Sequence, residues 1–388
     1  MNNPKLRFKE FKDDWVHSRL GDIAEKITAG ATPSTSKKEY WGGSIRWMNS
    51  GELNLKRVFE VENRITDAGL NESSTKLLPP ECVLIGLAGQ GKTRGTVAIN
   101  YVPLCTNQSI AAIHPSHEVF YPEFLYQNLN NRYQELRSVS TGDGGRGGLN
   151  LHIIKSLPIA IPSLDEQKKI ASFIKKIDSR IELLKDKYDA LSIYKSGVMQ
   201  KILSQEIRFK NSEGSLYGEW LETKLSDVLE YEQPTRYLVA SKNYSDEYKT
   251  PVLTAGKTFL LGYTAEETGI YENLPVIIFD DFTTSFQFVD FPFKVKSSAI
   301  KMLKNRNPED SLRFIYEAMK LIKFPRGSEH KRYWISEYSN CIILLPSSEE
   351  QHKIIEISTL LDNKLQTIKA QIDLTCQYKL GLLQQMLI

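Results

Sequence analysis

Apolar residues recur with the alternating three-and-four spacing of a coiled-coil seam along two long stretches of this chain. In the first stretch the seam positions are Ile170, Ile174, Ile177, Ile181, Leu184, Tyr188, Leu191, Lys195, Val198 and Ile202. In the second stretch, nearer the end of the chain, they are Ile354, Ser358, Leu361, Leu365, Ile368, Ile372, Thr375, Lys379, Leu382 and Met386. This spacing predicts two long helices, each with one apolar stripe.

The two helical stretches are copies of one sequence. Residues 161–203 and 345–387 align without a gap, with 14 identities over 43 positions. Pro162 and Pro346 each precede an S-x-x-E sequence, which predicts a capping box at the start of each helix. A helix with a single apolar stripe is not stable alone in water, so we expect the two to pack on each other, in either a parallel or an antiparallel pair. The predicted interface of this helical pair consists of Ile170, Ile177, Ile181, Leu184, Leu191, Ile354, Leu361, Leu365, Ile368 and Leu382.

Two further features repeat. Lys195 and Lys379 interrupt the seam at the same place in both copies, where either the charge sets the helix register or the stem alone is buried while the ammonium reaches water. The sequence Leu-Arg-Phe-Lys at 6–9 returns as Ile-Arg-Phe-Lys at 207–210. The second of these follows a helical stretch directly, whereas the first begins the chain. If the repeat is symmetric, the N-terminus therefore lies near Ile388.

The repeats divide the chain into five parts. They are an N-terminal arm at 1–14, a first variable domain at 15–162, a helical spacer at 163–206, a second variable domain at 207–346 and a second helical spacer at 347–388. Both variable domains combine short β-like runs with one helix-like run, which is typical of α+β domains. The predicted fold is two globular α+β domains separated by a pair of long antiparallel coiled-coil helices, with a pseudo-two-fold internal repeat.

Composition narrows the class of protein. The hydrophobic content of 41% and charged content of 25% are those of an ordinary globular protein. No apolar run is long enough to span a membrane, and the first residues lack the apolar core of a signal peptide. The 4 cysteines form no C-x-x-C pair, which fits a reducing cytoplasm better than a disulfide framework or a zinc site. The net charge of +3 permits nucleic-acid binding through local patches without requiring it.

One stretch suggests an enzyme. Residues 86–93 match the phosphate-binding pattern G-x-x-x-x-G-K-[ST], and Asp280 and Asp281 end an apolar run like the magnesium-binding strand of a nucleotide hydrolase. A phosphate-binding loop must open a helix, whereas residues 94–99 are β-branched and interrupted by glycine. The two motifs also occupy matching places in the two variable domains, so we expect them to be the same strand and loop in each. A P-loop nucleotide hydrolase using residues 86–93 is the alternative hypothesis.

The same loops carry groups that suit contact with DNA. Arginine pairs with guanine, carboxylates accept from cytosine, and hydroxyls hold phosphates. The segments just before the two helical stretches, glycine-rich at 142–148 and basic at 325–334, are further candidates. The predicted DNA-binding residues are Lys92, Thr93, Arg94, Arg146, Asp281, Thr283, Thr284, Ser285, His330, Lys331 and Arg332. For each of them a solvated turn without a partner is the competing interpretation. No grouping of residues predicts a catalytic or a metal site.

This arrangement resembles the specificity subunit of bacterial type I restriction-modification enzymes. Two repeated helices, opened by P-S-x-x-E-Q at 162–167 and 346–351, alternate with two unlike domains. Residues 40–47 and 105–108 are similar to stretches of the family's target-recognition domains. The resemblance covers essentially the whole chain, and its helical repeats are the most specific part.

The resemblance implies a non-catalytic DNA-recognition subunit in the cytoplasm. Each variable domain would be a target-recognition domain that reads one half of a bipartite, asymmetric double-stranded DNA target. The helical pair would set the gap and dock two methyltransferase (modification) subunits, and two motor-nuclease (restriction) subunits would then join. No cofactor is expected on this chain, whereas S-adenosylmethionine, ATP and Mg are expected on the partner subunits. We expect no membrane partner. Half-sites about one helical turn apart would suit such a frame.

Overall fold

The computed structural model describes residues 3–89, 93–139, 148–256, 258–324 and 332–387. The chain divides into two compact units, here called unit 1 (residues 1–185 with 370–388) and unit 2 (residues 186–369). Two long helices contribute to both, α6 (Leu164–Leu203) and α10 (Ser348–Met386). The boundaries after 185 and 369 fall at equivalent positions of the sequence repeat. None of the helices in the described ranges has the length and apolar composition needed to cross a bilayer.

Unit 1 contains a five-stranded sheet with the order β2-β9-β6-β7-β4, a three-stranded sheet β5-β3-β8 and the pair β1-β10. Its strands are β1 (Val16–Arg19), β2 (Ile27–Ala29), β3 (Trp41–Met48), β4 (Arg57–Val58), β5 (Arg64–Ile65), β6 (Val83–Gly86), β7 (Val97–Asn100), β8 (Cys105–Thr106), β9 (Ile110–Ile113) and β10 (Pro158–Ile161). Its shorter helices are α1 (Leu20–Ile23), α2 (Asp67–Asn71), α3 (Pro122–Asn131), α4 (Tyr133–Ser138) and α5 (Leu151–Ser156), with 3-10 turns at Lys38–Tyr40 and Ser50–Leu55.

Unit 2 contains a four-stranded sheet with the order β12-β18-β15-β16, a three-stranded sheet β14-β13-β17 and the pair β11-β19. Its strands are β11 (Leu221–Lys224), β12 (Leu229–Glu232), β13 (Thr250–Leu253), β14 (Leu260–Thr264), β15 (Val276–Asp280), β16 (Phe286–Val289), β17 (Lys294–Val295), β18 (Ile300–Asn305) and β19 (Ile342–Leu345). Its shorter helices are α7 (Leu225–Val228), α8 (Leu312–Met319) and α9 (Tyr333–Ser336), with 3-10 turns at Pro234–Tyr237 and Tyr338–Asn340.

The largest sheets of the two units share one arrangement. Strand β6 lies between β9 and β7, and β15 lies between β18 and β16, with every one of these pairings antiparallel. The sequences Val-Leu-Ile in β6 and Val-Ile-Ile-Phe in β15 are buried throughout. A continuous apolar run of this kind forms a strand covered on both faces. The equivalent cover on one face is α3 in unit 1 and α8 in unit 2.

The helical pair is antiparallel within each unit. In unit 1 the first half of α6 shares an apolar core with the last turns of α10, including Ile170 and Leu382. In unit 2 the last turns of α6 share a core with the first half of α10, including Ile202 and Ile354. Of the predicted interface residues, Ile170, Ile177, Ile181, Ile354, Ile368 and Leu382 are buried, and Leu184, Leu191, Leu361 and Leu365 are half-buried. The predicted fold class, two α+β domains with a pair of long antiparallel helices, is confirmed.

The two lysines that interrupt the seam form ion pairs with the other helix. Lys195 Nζ lies 2.5 Å from Asp362 Oδ1 in unit 2, and Lys379 Nζ lies 2.5 Å from Asp178 Oδ1 in unit 1. Of the two interpretations, the structure therefore favours a charge that sets the register of the helices over a stem whose ammonium only reaches water.

The short repeat at 6–9 and 207–210 packs in the same way in both units. The N–H of Leu6 donates to the carbonyl of Gln385, and the N–H of Ile207 donates to the carbonyl of Lys201, which is the equivalent residue. The N-terminal arm thus lies beside the end of α10, as predicted, although Ile388 itself lies outside the described residues. The repeat of sequence is therefore also a repeat of backbone contacts.

The predicted capping boxes lack the bond from the glutamate back to the start of its own helix. The N–H of Glu350 approaches Ser347 Oγ at 3.4 Å, but the glutamates do not turn back to their helix ends. Glu166 instead binds Arg7 with both oxygens, at 2.6 and 2.7 Å, and Glu350 binds Arg208. Both carboxylates are buried, so the early glutamate of each helix fixes the repeated arm rather than the cap.

Candidate nucleic-acid interface

The two stretches that suggested a nucleotide site are equivalent hairpin loops. In unit 1 the loop after β6 is closed by bonds from Gly95 N to Gly86 O (2.9 Å) and from Gly86 N to Thr96 O (2.9 Å). In unit 2 the loop after β15 is closed by bonds from Thr284 N to Asp280 O (2.9 Å) and from Asp280 N to Ser285 O (2.8 Å). The prediction that both stretches are the same strand and loop is confirmed.

This geometry excludes the P-loop alternative. The loop at 86–96 leads into β7, which pairs antiparallel with β6, whereas a phosphate-binding loop must lead into a helix N-terminus. The acidic strand end at Asp280 and Asp281 lies in the other unit and has its own hairpin. The hypothesis of a nucleotide hydrolase using residues 86–93 is therefore wrong.

The segment that precedes each long helix returns to the hairpin loop of its own unit. In unit 1 the N–H of Leu149 donates to the carbonyl of Leu87 at 3.0 Å. In unit 2 the N–H of Tyr333 donates to the carbonyl of Asp281 at 2.9 Å. In each unit a described residue next to or within the second candidate segment, Leu149 or Tyr333, thus contacts the end of the central strand. Four predicted residues, Lys92, Arg146, His330 and Lys331, lie outside the described residues.

The remaining predicted residues differ in how far they reach the surface. Thr93 and Arg94 are half-buried on the unit 1 hairpin, Thr284 and Ser285 are half-buried on the unit 2 hairpin, and Thr283 and Arg332 are exposed. The side chains at the surface therefore include hydroxyls and a guanidinium, the groups that bind phosphate oxygens and base edges.

The unit 2 hairpin is shaped by a residue that was not among the predicted ones. The carboxylate of Asp280 accepts the N–H groups of Phe282 (3.0 Å) and Thr283 (2.8 Å), and Thr284 adopts a left-handed φ of 56°. An aspartate before hydroxyl residues is a turn signal, which indicates this role from sequence. The turn leaves the ring of Phe282 43% exposed at its tip, where an aromatic face can stack on a base.

The predicted DNA contact of Asp281 does not fit its placement. Its side chain is 1% exposed, and Oδ1 accepts the N–H of Trp334 at 2.8 Å. Oδ2 lies 3.5 Å from the ammonium of Lys301, which is fully buried. A carboxylate enclosed by its own domain cannot accept from a base, so Asp281 instead holds the hairpin against the segment at 333–334.

The two stretches that resembled the family's recognition domains are neighbouring strands in unit 1. Strands β3 and β8 pair in parallel, with Trp47 opposite Cys105. Trp47 packs edge-on against Trp41 at 5.0 Å between ring centroids, and its indole N–H donates to the carbonyl of Ala31. A side chain on Gly43 would come 2.5 Å from the carbonyl of Ile65, so this glycine permits the close approach of β3 to β5 where their antiparallel pairing is irregular. Trp47 and Cys105 of these stretches are therefore part of the domain core.

The described part of the chain groups no metal ligands and buries two of its thiols. Within it, no group of His, Cys, Asp and Glu side chains is arranged to hold a metal ion. Burial raises the pKa of Cys82 to about 12 and that of Cys105 to about 11, so both thiols are protonated and unreactive near neutral pH. Each unit carries a hairpin loop at the end of its central strand, and loops held by a sheet suit recognition.

Comparison with known proteins identifies the class. The model of the type I restriction modification DNA specificity domain matches residues 12–192 and again residues 217–374. The chain therefore belongs to this family, and the resemblance drawn from the sequence is confirmed.

Individual relatives agree with this assignment. The chain is 48% identical over 146 residues to the specificity subunit of the type I restriction enzyme EcoR124I/EcoR124II of Escherichia coli, covering 36% of this chain and 35% of that protein. It is 30% identical over 232 residues to the MjaIX specificity subunit of Methanocaldococcus jannaschii, covering 56% and 52%. The matched segments thus span about half or less of these relatives.

A solved structure has the same fold over its full length. The S subunit of a type I restriction-modification system from M. genitalium aligns over 100% of this chain and 99% of its own, with a TM-score of 0.59 and 16% identity. At that identity the similarity establishes the fold alone.

Proposed function

We propose that this chain is the DNA-recognition subunit of a type I restriction-modification complex. Each recognition domain reads one half of a bipartite, asymmetric double-stranded DNA target. One observation carries the proposal: both units close a hairpin loop after the central strand with equivalent backbone bonds, yet the two loops differ in sequence. A repeated frame with unlike loops suits two readers of two different half-sites.

The chain itself is non-catalytic under this proposal, and it acts in the cytoplasm. Two methyltransferase subunits carrying S-adenosylmethionine and two motor-nuclease subunits using ATP and Mg supply the chemistry. The helical pair docks the methyltransferase subunits and sets the gap between half-sites.

Substitutions in the two hairpins test the proposal. The target is first found by selecting bound duplexes from a random library with the complex purified from its host. Thr93→Ala and Arg94→Ala are then compared with Thr283→Ala and Ser285→Ala on duplexes that carry single-base changes. We expect each pair to weaken discrimination in one half-site only, by about 1–3 kcal/mol where a direct base contact is lost.

Two substitutions on the helices serve as controls. Arg180→Ala removes an exposed guanidinium from α6, and Thr367→Ala removes an exposed hydroxyl from α10. Neither should change base discrimination in either half-site. Binding that ignores sequence, or hairpin variants that change both half-sites together, would refute the two-reader proposal.

A further inference from the structure

Two aspartates of the long helices occupy equivalent positions and make equivalent contacts. Asp178 in α6 and Asp362 in α10 match each other in the alignment of the two helical copies. Through Oδ1 each one binds the seam lysine of the other helix, as described above. Through Oδ2 each one binds an arginine of its recognition domain, Arg57 at 3.0 Å and Arg313 at 3.0 Å. Each carboxylate therefore joins both helices to the domain of its own unit.

The two arginines come from unrelated places in the fold. Arg57 lies in β4 at the edge of the sheet, whereas Arg313 lies in the first turn of α8. The domains can be aligned at this point, because Tyr121 N and Ser311 N make the same 2.7 Å hydrogen bond to the glutamine near the start of the long helix. By that alignment, Glu123 in unit 1 is the residue equivalent to Arg313 in unit 2.

In unit 1 an arginine also contacts the helix aspartate, but it comes from another element and is held there by Glu123. Glu123 is 3% exposed and accepts Arg57 Nε at 3.1 Å, while Gln127 Nε2 donates to it at 3.0 Å. Arg57 also lies 5.2 Å from the ring centroid of Tyr126. Glu123, in α3, thus holds an arginine from strand β4 at the aspartate of the long helix. Unit 2 places its arginine there directly, 4.6 Å from the ring centroid of Phe288.

The recurrence of this arrangement needs a reason beyond packing. The two recognition domains share their frame but little sequence, and the aspartates, lysines and arginines are largely enclosed, with side chains between 14% and 30% exposed. Partly buried charges carry a desolvation cost, so they are weak devices for stability and better suited to fixing one register or orientation. The two units form the same aspartate–arginine contact from different structural elements. This indicates that the contact has a role of its own.

We propose that Asp178 and Asp362 are positioning residues for DNA recognition. Each locks the register of the helical pair to the orientation of its own recognition domain, and so fixes the gap length at which that half-site is accepted. This inference rests on the proposed function, because gap length has meaning only if both domains read DNA.

The test compares Asp178→Asn and Asp362→Asn with Asp373→Asn and Asp189→Asn. Asp189 and Asp373 are also equivalent positions of the two helices, are exposed, and make no ion pair among the described residues. The purified complex is offered duplexes whose gap is native or one base pair shorter or longer, and duplexes with single-base changes in each half-site. Lys195→Gln and Lys379→Gln remove the other partner of each contact and replace the aspartate variants if those fail to fold.

We expect the preference for the native gap to fall roughly tenfold in the aspartate variants, while base discrimination is retained and the control variants match the wild type. An unchanged gap preference in folded variants would overturn the inference. So would an equal loss of gap and base discrimination, since that outcome reports general loosening. A wild-type complex that binds DNA without any sequence preference would instead refute the proposed function itself.

Discussion

Equivalent positions of the shared sheet hold apolar side chains in unit 1 and charged side chains in unit 2. At the end of the central strand, unit 1 has Leu87, and on the neighbouring strand it has Ala111, which is paired with Ile85. In unit 2, Asp281 stands where unit 1 has Leu87. Lys301, which is paired with Phe279, stands where unit 1 has Ala111. The backbone bonds around both places are the same. An apolar contact and a buried ion pair thus fill equivalent space in the same frame.

This difference shows that the shared fold tolerates a buried charge at these positions when the charge has a partner. The ammonium of Lys301 also binds Gln233 Oε1 at 3.0 Å and lies 5.2 Å from the ring centroid of Tyr231. A buried charge is tolerated when it is paired and hydrogen-bonded, and it is costly when its partner is removed. The interior can therefore change its chemistry between copies, provided that both partners change together.

The largest predicted effect comes from breaking that ion pair. Asp281→Leu alone or Lys301→Ala alone leaves an uncompensated charge in the core, so each should lower the free energy of unfolding by about 3–5 kcal/mol. The double variant recreates the unit 1 combination and should lie within about 1–2 kcal/mol of the wild type. Denaturant unfolding of the three variants measures these differences. A double variant as unstable as the sum of the single ones would contradict the comparison.

A smaller difference concerns the tryptophan that follows each repeated arm. Trp15 and Trp220 pack edge-on against equivalent phenylalanines, at 6.0 and 5.8 Å between centroids. In unit 2 the indole N–H donates to Glu350 Oε2 at 2.9 Å. Within the described part of unit 1 the indole nitrogen of Trp15 is buried without a hydrogen-bond partner. The apolar contacts therefore match, while the hydrogen bond is present in unit 2 only.

Phenylalanine in place of each tryptophan isolates that hydrogen bond. Trp15→Phe loses packing, whereas Trp220→Phe loses similar packing and also leaves a buried carboxylate with one donor fewer. We expect Trp220→Phe to be the more destabilising by about 1 kcal/mol. Calorimetric unfolding of the two variants side by side provides the measurement, and equal losses would show that the N–H of Trp220 contributes nothing.

The long helices and the family could be predicted because their signals are local and repeated. The seam residues follow a fixed spacing, and the second copy of the helical sequence shows the same register. The hairpin loops could be matched for the same reason, since each follows an apolar run in the same place. These features depend on neighbours in sequence, which a single chain displays directly.

The charged contacts could not be predicted, because their partners are distant in sequence. Asp281 was assigned to the surface as part of a polar turn, and nothing near it indicates that Lys301 faces it from another strand. Likewise the helix-opening Glu166 has the spacing of a capping residue, while its actual partner, Arg7, is 159 residues away. Tertiary packing decides whether such a carboxylate lies at the surface, caps a helix or forms a buried ion pair, because the local sequence pattern is the same in each case.

The smallest predicted effect is a pH dependence confined to unit 1. His114 follows β9 and is 4% exposed, with Nε2 3.2 Å from Thr28 Oγ1. At the equivalent place in unit 2, Lys304 binds Glu232 at 3.2 Å. Burial, assisted by the charge of Lys26, lowers the pKa of His114 below its ordinary value. Unit 1 therefore buries a neutral imidazole where unit 2 has an ion pair.

The sign of the effect follows from proton binding. Below the ordinary histidine pKa of about 6.5 the unfolded chain holds a proton on His114 that the folded chain does not, so unfolding is favoured as pH falls through that range. Above about pH 6.5 the contribution is fully present. We expect His114→Gln to flatten the loss of thermal stability between pH 7.5 and 5.5, while His352→Gln, at an exposed site in unit 2, leaves it unchanged. A wild type that gains stability on acidification, or a His114→Gln variant with an unaltered pH profile, would show that the imidazole is not held neutral by its surroundings.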